Sequence, residues 1–153
     1  MFSERFTALT FGNHVLYIIA DAQRIVYIGP KEPSPMRLLR SDGHPLLEQA
    51  VAQLQSYLSG RCQTLSFAVE PSPFPFAQAV YAAAARIPYG HCVNAQKIAR
   101  SLGRPQSEQA INVLCRSNPL SIRIPTHRIV PSDGRTCALD DALRQMERRF
   151  IAP

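Results

Sequence analysis

The chain has 153 residues, 46% of them hydrophobic and 18% charged. This globular mix excludes a disordered or fibrous chain and fits one domain or two small ones. The formal net charge is +6, and all of the excess lies in the second half: residues 1–76 hold six Lys/Arg against six Asp/Glu, residues 77–153 eleven against five. A basic half-chain points to a polyanionic partner, most often nucleic acid, with a solvated basic face as the alternative.

In chain order, Phe6–Phe11 and Val15–Ile19 are rich in β-branched and aromatic residues and flank Gly12-Asn13, which predicts a hairpin. Arg24–Ile28, ended by Gly29-Pro30, extends it to a three-stranded antiparallel meander. Leu46, Leu47, Val51, Leu54 and Leu58 recur at helical spacing before Gly60, and Leu65–Val69 returns as a further strand. Residues 1–70 are therefore expected to form a small α/β domain. Pro71-Ser-Pro-Phe-Pro75 reads as a linker.

The second domain, 71–153, is expected to be mainly helical. Phe76–Arg86 is an Ala-rich helix stopped by Pro88-Tyr89-Gly90. Asn94 caps a helix to Leu102 that Gly103 ends. A helix over Ser107–Ser117 follows, closed by Pro119, and the pair has helix-turn-helix spacing. Pro119–Val130 reads as extended, and Asp140–Phe150 as a final basic helix.

The longest apolar stretches, His14–Ala20 and Ala82–Ala85, fall far below the ~20 residues that span a bilayer. Met1-Phe-Ser-Glu-Arg-Phe6 lacks the basic start and apolar run of a secretory leader, so no membrane contact and a cytoplasmic location are expected. Cys62, Cys92, Cys115 and Cys137 form no CxxC, and the four histidines are scattered. Free thiols and no metal site follow.

One segment carries more specific meaning. Ile124-Pro-Thr-His-Arg-Ile-Val130, with Ile87-Pro-Tyr-Gly90, Val93, Ile98-Ala99, Leu102-Gly103-Arg-Pro105, Ala110-Ile111, Asn118-Pro119-Leu120 and Ser132-Asp-Gly134, resembles the O6-alkylguanine-DNA alkyltransferase family. These are suicide repair proteins that move an alkyl group from guanine O6 to an internal cysteine. The run Leu46–Phe67 resembles the helix and strand of the family's N-terminal domain, so the likeness covers about residues 5–150. It implies an RNase-H-like α/β domain followed by a winged-helix-like domain, with double-stranded DNA as partner, no cofactor and a monomeric state.

The resemblance also shows where this chain departs from the family. The signature Pro-Cys-His-Arg stands here as Pro125-Thr126-His127-Arg128, so threonine occupies the acceptor position. Attack on an alkyl carbon wants a soft, readily ionised thiolate, and an aliphatic hydroxyl ionises far less readily. The resemblance implies an alkylguanine pocket of Asn118, Thr126 and His127. It places Asn94, Ala95, Gln109, Ser117 and Arg128 on the DNA side, with Arg128 in a structural or phosphate-side role. Ala95 stands where the family has the tyrosine that helps rotate the base out. Gln109 replaces the arginine that fills the gap, and Asn112 replaces a small glycine. Glu108 at the recognition-helix start faces phosphates unfavourably but suits the positive end of a helix.

The family's C-terminal glutamate, which orients the histidine, has no match in register. Glu147 is the nearest acidic residue but falls too early, and it is expected on the helix surface. Cys115 and Cys137 are the other thiols near the pocket, and Cys137 is the better placed of the two as an alternative acceptor. Three readings follow. The chain is a DNA-binding homologue without transfer activity that recognises alkylated guanine and hands it to a repair partner. It is instead a repurposed fold, binding DNA without lesion preference or binding a protein or small molecule. Or it is an active methyltransferase with a different nucleophile. The excess charge supports DNA affinity through Arg100, Arg104, Arg116, Arg144, Arg148 and Arg149.

Overall fold

A computed structural model describes residues 4–34, 39–40 and 43–151; Met1, Phe2 and Ser3 of the opening segment lie outside the described residues. The chain divides into two compact units, residues 1–70 and 71–153.

In the first unit, β1 (Arg5–Phe11) and β2 (His14–Ala20) pair antiparallel in a continuous register from Arg5↔Ala20 to Phe11↔His14. Gly12, at φ +56°, supplies the positive φ that the two-residue turn between them requires. β3 (Ile25–Gly29) adds antiparallel to β2, with a register shift at Ile19/Ala20. The sheet has a fourth strand that sequence pattern does not reveal: the two-residue β4 (Leu39–Arg40) runs parallel to β1. Its order is β3-β2-β1-β4.

The helix expected from the leucine spacing is α1 (Pro45–Leu58). It buries Leu47, Ala50, Leu54 and Tyr57, and the sheet buries Leu16, Ile18, Ile25 and Ile28. The strand expected over Leu65–Val69 does not form. The segment makes one isolated bridge, Ile25↔Val69, with Ile25 N–H donating to the Ala68 carbonyl and Glu70 N–H to that of Ile25. Phe67 anchors it, almost wholly buried, so burial of one aromatic holds the segment without a ladder.

The second unit is helical. α2 (Pro75–Arg86) begins at the last proline of the expected linker, where a missing N–H costs nothing. α3 (Ala95–Ser101) is capped by Asn94, whose Oδ1 accepts from Lys97 N–H at 2.8 Å. Gly103, at φ +72°, turns the chain toward α4 (Glu108–Arg116). Val80, Ala83, Ala84, Ile87, Ala95, Ile98, Ala99, Ile111 and Ile129 form one core cluster.

The stretch expected to be extended is more structured. It contains a tight turn at Ser121–Ile124, a single turn of 3-10 helix over Thr126–Arg128, and β6 (Ile129–Val130). β6 pairs parallel with β5 (Val93–Asn94), which ties the signature segment to the start of α3. The last helix is α5 (Ala138–Ile151), two residues longer at its start and one at its end than expected.

Candidate functional site

Three lines of structure meet at the signature segment. Asn118, just past α4, is buried and spends its whole side chain on the loop that follows. Its Nδ2 donates to the Ile124 carbonyl and to Thr126 Oγ1, both at 2.9 Å, and its Oδ1 accepts from Leu120 N–H at 3.0 Å. This brace holds Ile122 at φ +73°. A β-branched residue in that region costs on the order of 1–3 kcal/mol and persists only where its surroundings over-determine it. Ile122 is 3% exposed, so packing and the asparagine brace supply the restraint.

His127 and Arg128 follow on the 3-10 turn, both buried, and converge on Glu147 of α5. His127 Nε2 lies 2.7 Å from Glu147 Oε1. Arg128 grips the same carboxylate through Nε (3.2 and 3.1 Å) and Nη2 (2.9 Å), while its Nη1 donates to the Ile87 carbonyl at 2.9 Å. The guanidinium also lies over the Tyr89 ring, 5.7 Å from its centroid. Gly90 N–H completes the set, donating to Glu147 Oε2 at 3.0 Å from φ +81°, a conformation that favours glycine. One carboxylate thus joins α5, the signature turn and the Ile87–Gly90 loop.

This corrects the expectation for Glu147. It is 1% exposed and is the partner of the signature histidine. The signal was present in the sequence: Glu147 lies four residues after Leu143 and one after Met146, and Leu139, Leu143 and Met146 form the inner stripe of α5. A carboxylate on that stripe must have buried partners.

Arg144 is a second correction. It is buried, its Nε donates to the His127 carbonyl at 2.6 Å, and its Nη1 pairs with Asp141 at 2.7 Å, so it positions the turn and is not available to a phosphate. Arg128 is likewise buried and committed to Glu147 and Ile87, which makes its role structural. Ala95 lies wholly inside the core cluster and offers no surface.

The other residues expected on the DNA side, Asn94, Gln109 and Ser117, are exposed. Asn94 spends its side chain on the α3 cap, and Ser117 Oγ donates to the Val113 carbonyl at 2.8 Å. Lys97, Arg100, Arg104 and Arg116 are exposed on α3, α4 and the turn between them, as are Arg148 and Arg149 on α5.

Both thiols weighed as alternative acceptors are shifted away from the thiolate form. Burial, reinforced by Asp140, pushes the Cys115 thiol up to about 12. Burial also raises that of Cys137, whose sulfur accepts from Asp140 N–H at 3.4 Å. Among the described residues no cluster of three or more His, Cys, Asp or Glu is arranged to hold a metal ion. No helix among them is long and apolar enough to cross a membrane.

Residues 75–150 match the family described as 6-O-methylguanine DNA methyltransferase, DNA binding domain. The chain belongs to the O6-methylguanine-DNA methyltransferase family. It is 34% identical over 87 residues to a methylated-DNA–protein-cysteine methyltransferase of Methanosarcina barkeri, a match covering 57% of this chain and 55% of the relative. Against the constitutive methylated-DNA–protein-cysteine methyltransferase of Bacillus subtilis it is 36% identical over 95 residues, covering 62% and 56%. The matched region therefore spans little more than half the length of these relatives.

The fold is that of the Mycobacterium tuberculosis O6-methylguanine methyltransferase. The TM-score is 0.83 over 100% of this chain and 96% of that one, at 23% identity. A structure of the M. tuberculosis protein in complex with DNA matches with a TM-score of 0.80 at 22% identity, covering 97% and 94%.

Proposed function

We propose that the chain binds double-stranded DNA through its C-terminal unit and recognises alkylated guanine there without accepting the alkyl group. The observation that carries this reading is Thr126. The surrounding frame of Asn118, His127, Glu147 and Arg128 is complete and buried, while the atom at its centre is a hydroxyl oxygen that already accepts a hydrogen bond from Asn118. An oxygen in that state is a hard, un-ionised nucleophile, poorly matched to an alkyl carbon. Cys115 does not replace it, since burial pushes its thiol up to about 12, and the thiol of the exposed Cys137 is shifted in the same direction, away from the thiolate.

DNA as partner is supported by the family description, by the relatives' names and by the exposed cations of α3 and α4. In this reading residues 1–70 are an RNase-H-like α/β domain and residues 71–153 a winged-helix-like alkyltransferase domain. The monomer needs no cofactor, acts in the cytoplasm, and passes the marked site to a repair partner. Asn118, Thr126 and His127 form the alkylguanine pocket. Asn94, Gln109 and Ser117 face the duplex.

Ala95 and Gln109 give a second reading its own support, because the side chains that drive base extrusion in the family are missing. Extruding a base costs a few kcal/mol, and a protein that cannot offset this binds DNA without lesion preference. Fluorescence anisotropy on a duplex with one O6-methylguanine, beside the unmodified duplex, separates the two at two salt concentrations. Lesion preference that survives the higher salt is expected. Equal curves that both collapse with salt mean phosphate contact alone, and sink the recognition reading.

A further inference from the structure

Asn112 sits in the middle of α4, next to the fully buried Ile111, and is itself 3% exposed. Neither its Nδ2 nor its Oδ1 has a hydrogen-bond partner among the described residues. Buried carboxamides nearly always have partners, and leaving both halves unmet is costly. Asparagine is also a poor helix former, so neither packing nor helix formation explains the residue.

Its position does. Asn112 lies one helical turn before Cys115 and on the same face. Asn118, just past the end of the same helix, donates to Thr126 Oγ1 at the centre of the site. Asn112 therefore lies on the helix that leads directly into the site, six residues before Asn118. His127 Nδ1, also buried, has no partner among the described residues either.

We propose that Asn112 is a base-reading residue whose carboxamide hydrogen-bonds the edge of a nucleobase turned into the C-terminal unit. A carboxamide holds a donor and an acceptor side by side in one plane. A nucleobase edge carries the matching acceptor and donor in adjacent positions, whereas a phosphate offers acceptors only and an apolar group neither. The glycine that the family places here has no side chain to make such a contact, so the specificity belongs to this chain. The inference rests on the DNA-binding reading above.

The test measures affinity for a duplex carrying one O6-methylguanine and for the same duplex with an abasic site at that position. The proteins compared are the full chain, Asn112→Leu, and Asn112→Ala, which adds no atom. The unmodified protein is expected to prefer the base-bearing duplex. Both variants are expected to lose about tenfold of that preference while binding the abasic duplex as before. Asn112→Leu is expected to melt no lower than the unmodified protein, since an apolar side chain of similar size removes an unmet polar group.

A preference unchanged in both variants overturns the inference, as does equal binding of the two duplexes by the unmodified protein. In either case DNA binding itself stands. If the unmodified protein binds neither duplex, the DNA-binding reading fails and takes this inference with it.

Discussion

Removing the Glu147 carboxylate tests the frame of the site directly. In Glu147→Ala the Arg128 guanidinium stays buried with three of its contacts to that carboxylate gone. His127 Nε2 and Gly90 N–H lose their acceptor as well. Removing one partner of a buried ion pair costs about 3–5 kcal/mol, because the other charge is left uncompensated. The C-terminal unit, residues 71–153, falls in the size range where each kcal/mol moves the midpoint by roughly 4–8 °C. The expected fall in Tm is therefore more than roughly 12 °C, accompanied by a lower denaturant midpoint. Asp141→Ala is the control: Asp141 is half-exposed and pairs with Arg144, which keeps its bond to the His127 carbonyl. Water reaches the Asp141 side of that pair and Arg144 keeps a buried acceptor, so this loss is expected to cost less than that of Glu147. If Glu147→Ala melts within about 1 kcal/mol of the unmodified protein, or no lower than Asp141→Ala, the carboxylate does not hold the site together and the reasoning fails.

Two further outcomes follow from burial. Ala95 has no exposed surface, so Ala95→Tyr overpacks the core and is expected to cost about 1–3 kcal/mol in a urea titration; an unchanged midpoint would mean that the α3 start has room for a ring. The Cys115 thiol ordinarily ionises near 9 and is raised to about 12 in the fold. Its contribution to stability is full below pH 9 and is lost as pH rises from there to about 12, because the unfolded chain ionises first. Stability measured from pH 8 upward should fall more steeply for the unmodified protein than for Cys115→Ala, and parallel curves would contradict the assignment.

Strands β1 to β3, the helices and the capping role of Asn94 were legible in the sequence because each rests on a local signal: β-branched runs about Gly12, leucines at helical spacing, an asparagine before an apolar repeat. β4, β5 and β6 were not, since two residues carry no periodicity. Leu65–Val69 has strand composition yet makes one bridge, because Phe67 buries itself against the first unit without needing a ladder.

The signature residues were legible, but not what they do. Arg128 and Arg144 carry the same charge as exposed Arg100 and Arg104, and composition alone does not tell a buried arginine from a solvated one. Glu147 was missed for a different reason. Matching by family register put it out of place, whereas the spacing of Leu139, Leu143 and Met146 along α5 already turned it inward. Asn112 had the opposite fate. Its departure from the family's glycine is visible in the sequence, but only burial without a partner makes it informative.

The central claim is that the site keeps its frame and lacks its nucleophile. The most direct measurement is intact-protein mass after incubation with an O6-alkylguanine as the free base, which needs no extrusion from a duplex, for the unmodified protein and for Thr126→Cys. The unmodified protein should gain no mass. Thr126→Cys, with His127 and Glu147 beside the new thiol, should gain a single alkyl group at residue 126. A gain by the unmodified protein would show that it is a transferase with another acceptor. An inert Thr126→Cys would show that more than the nucleophile has been lost.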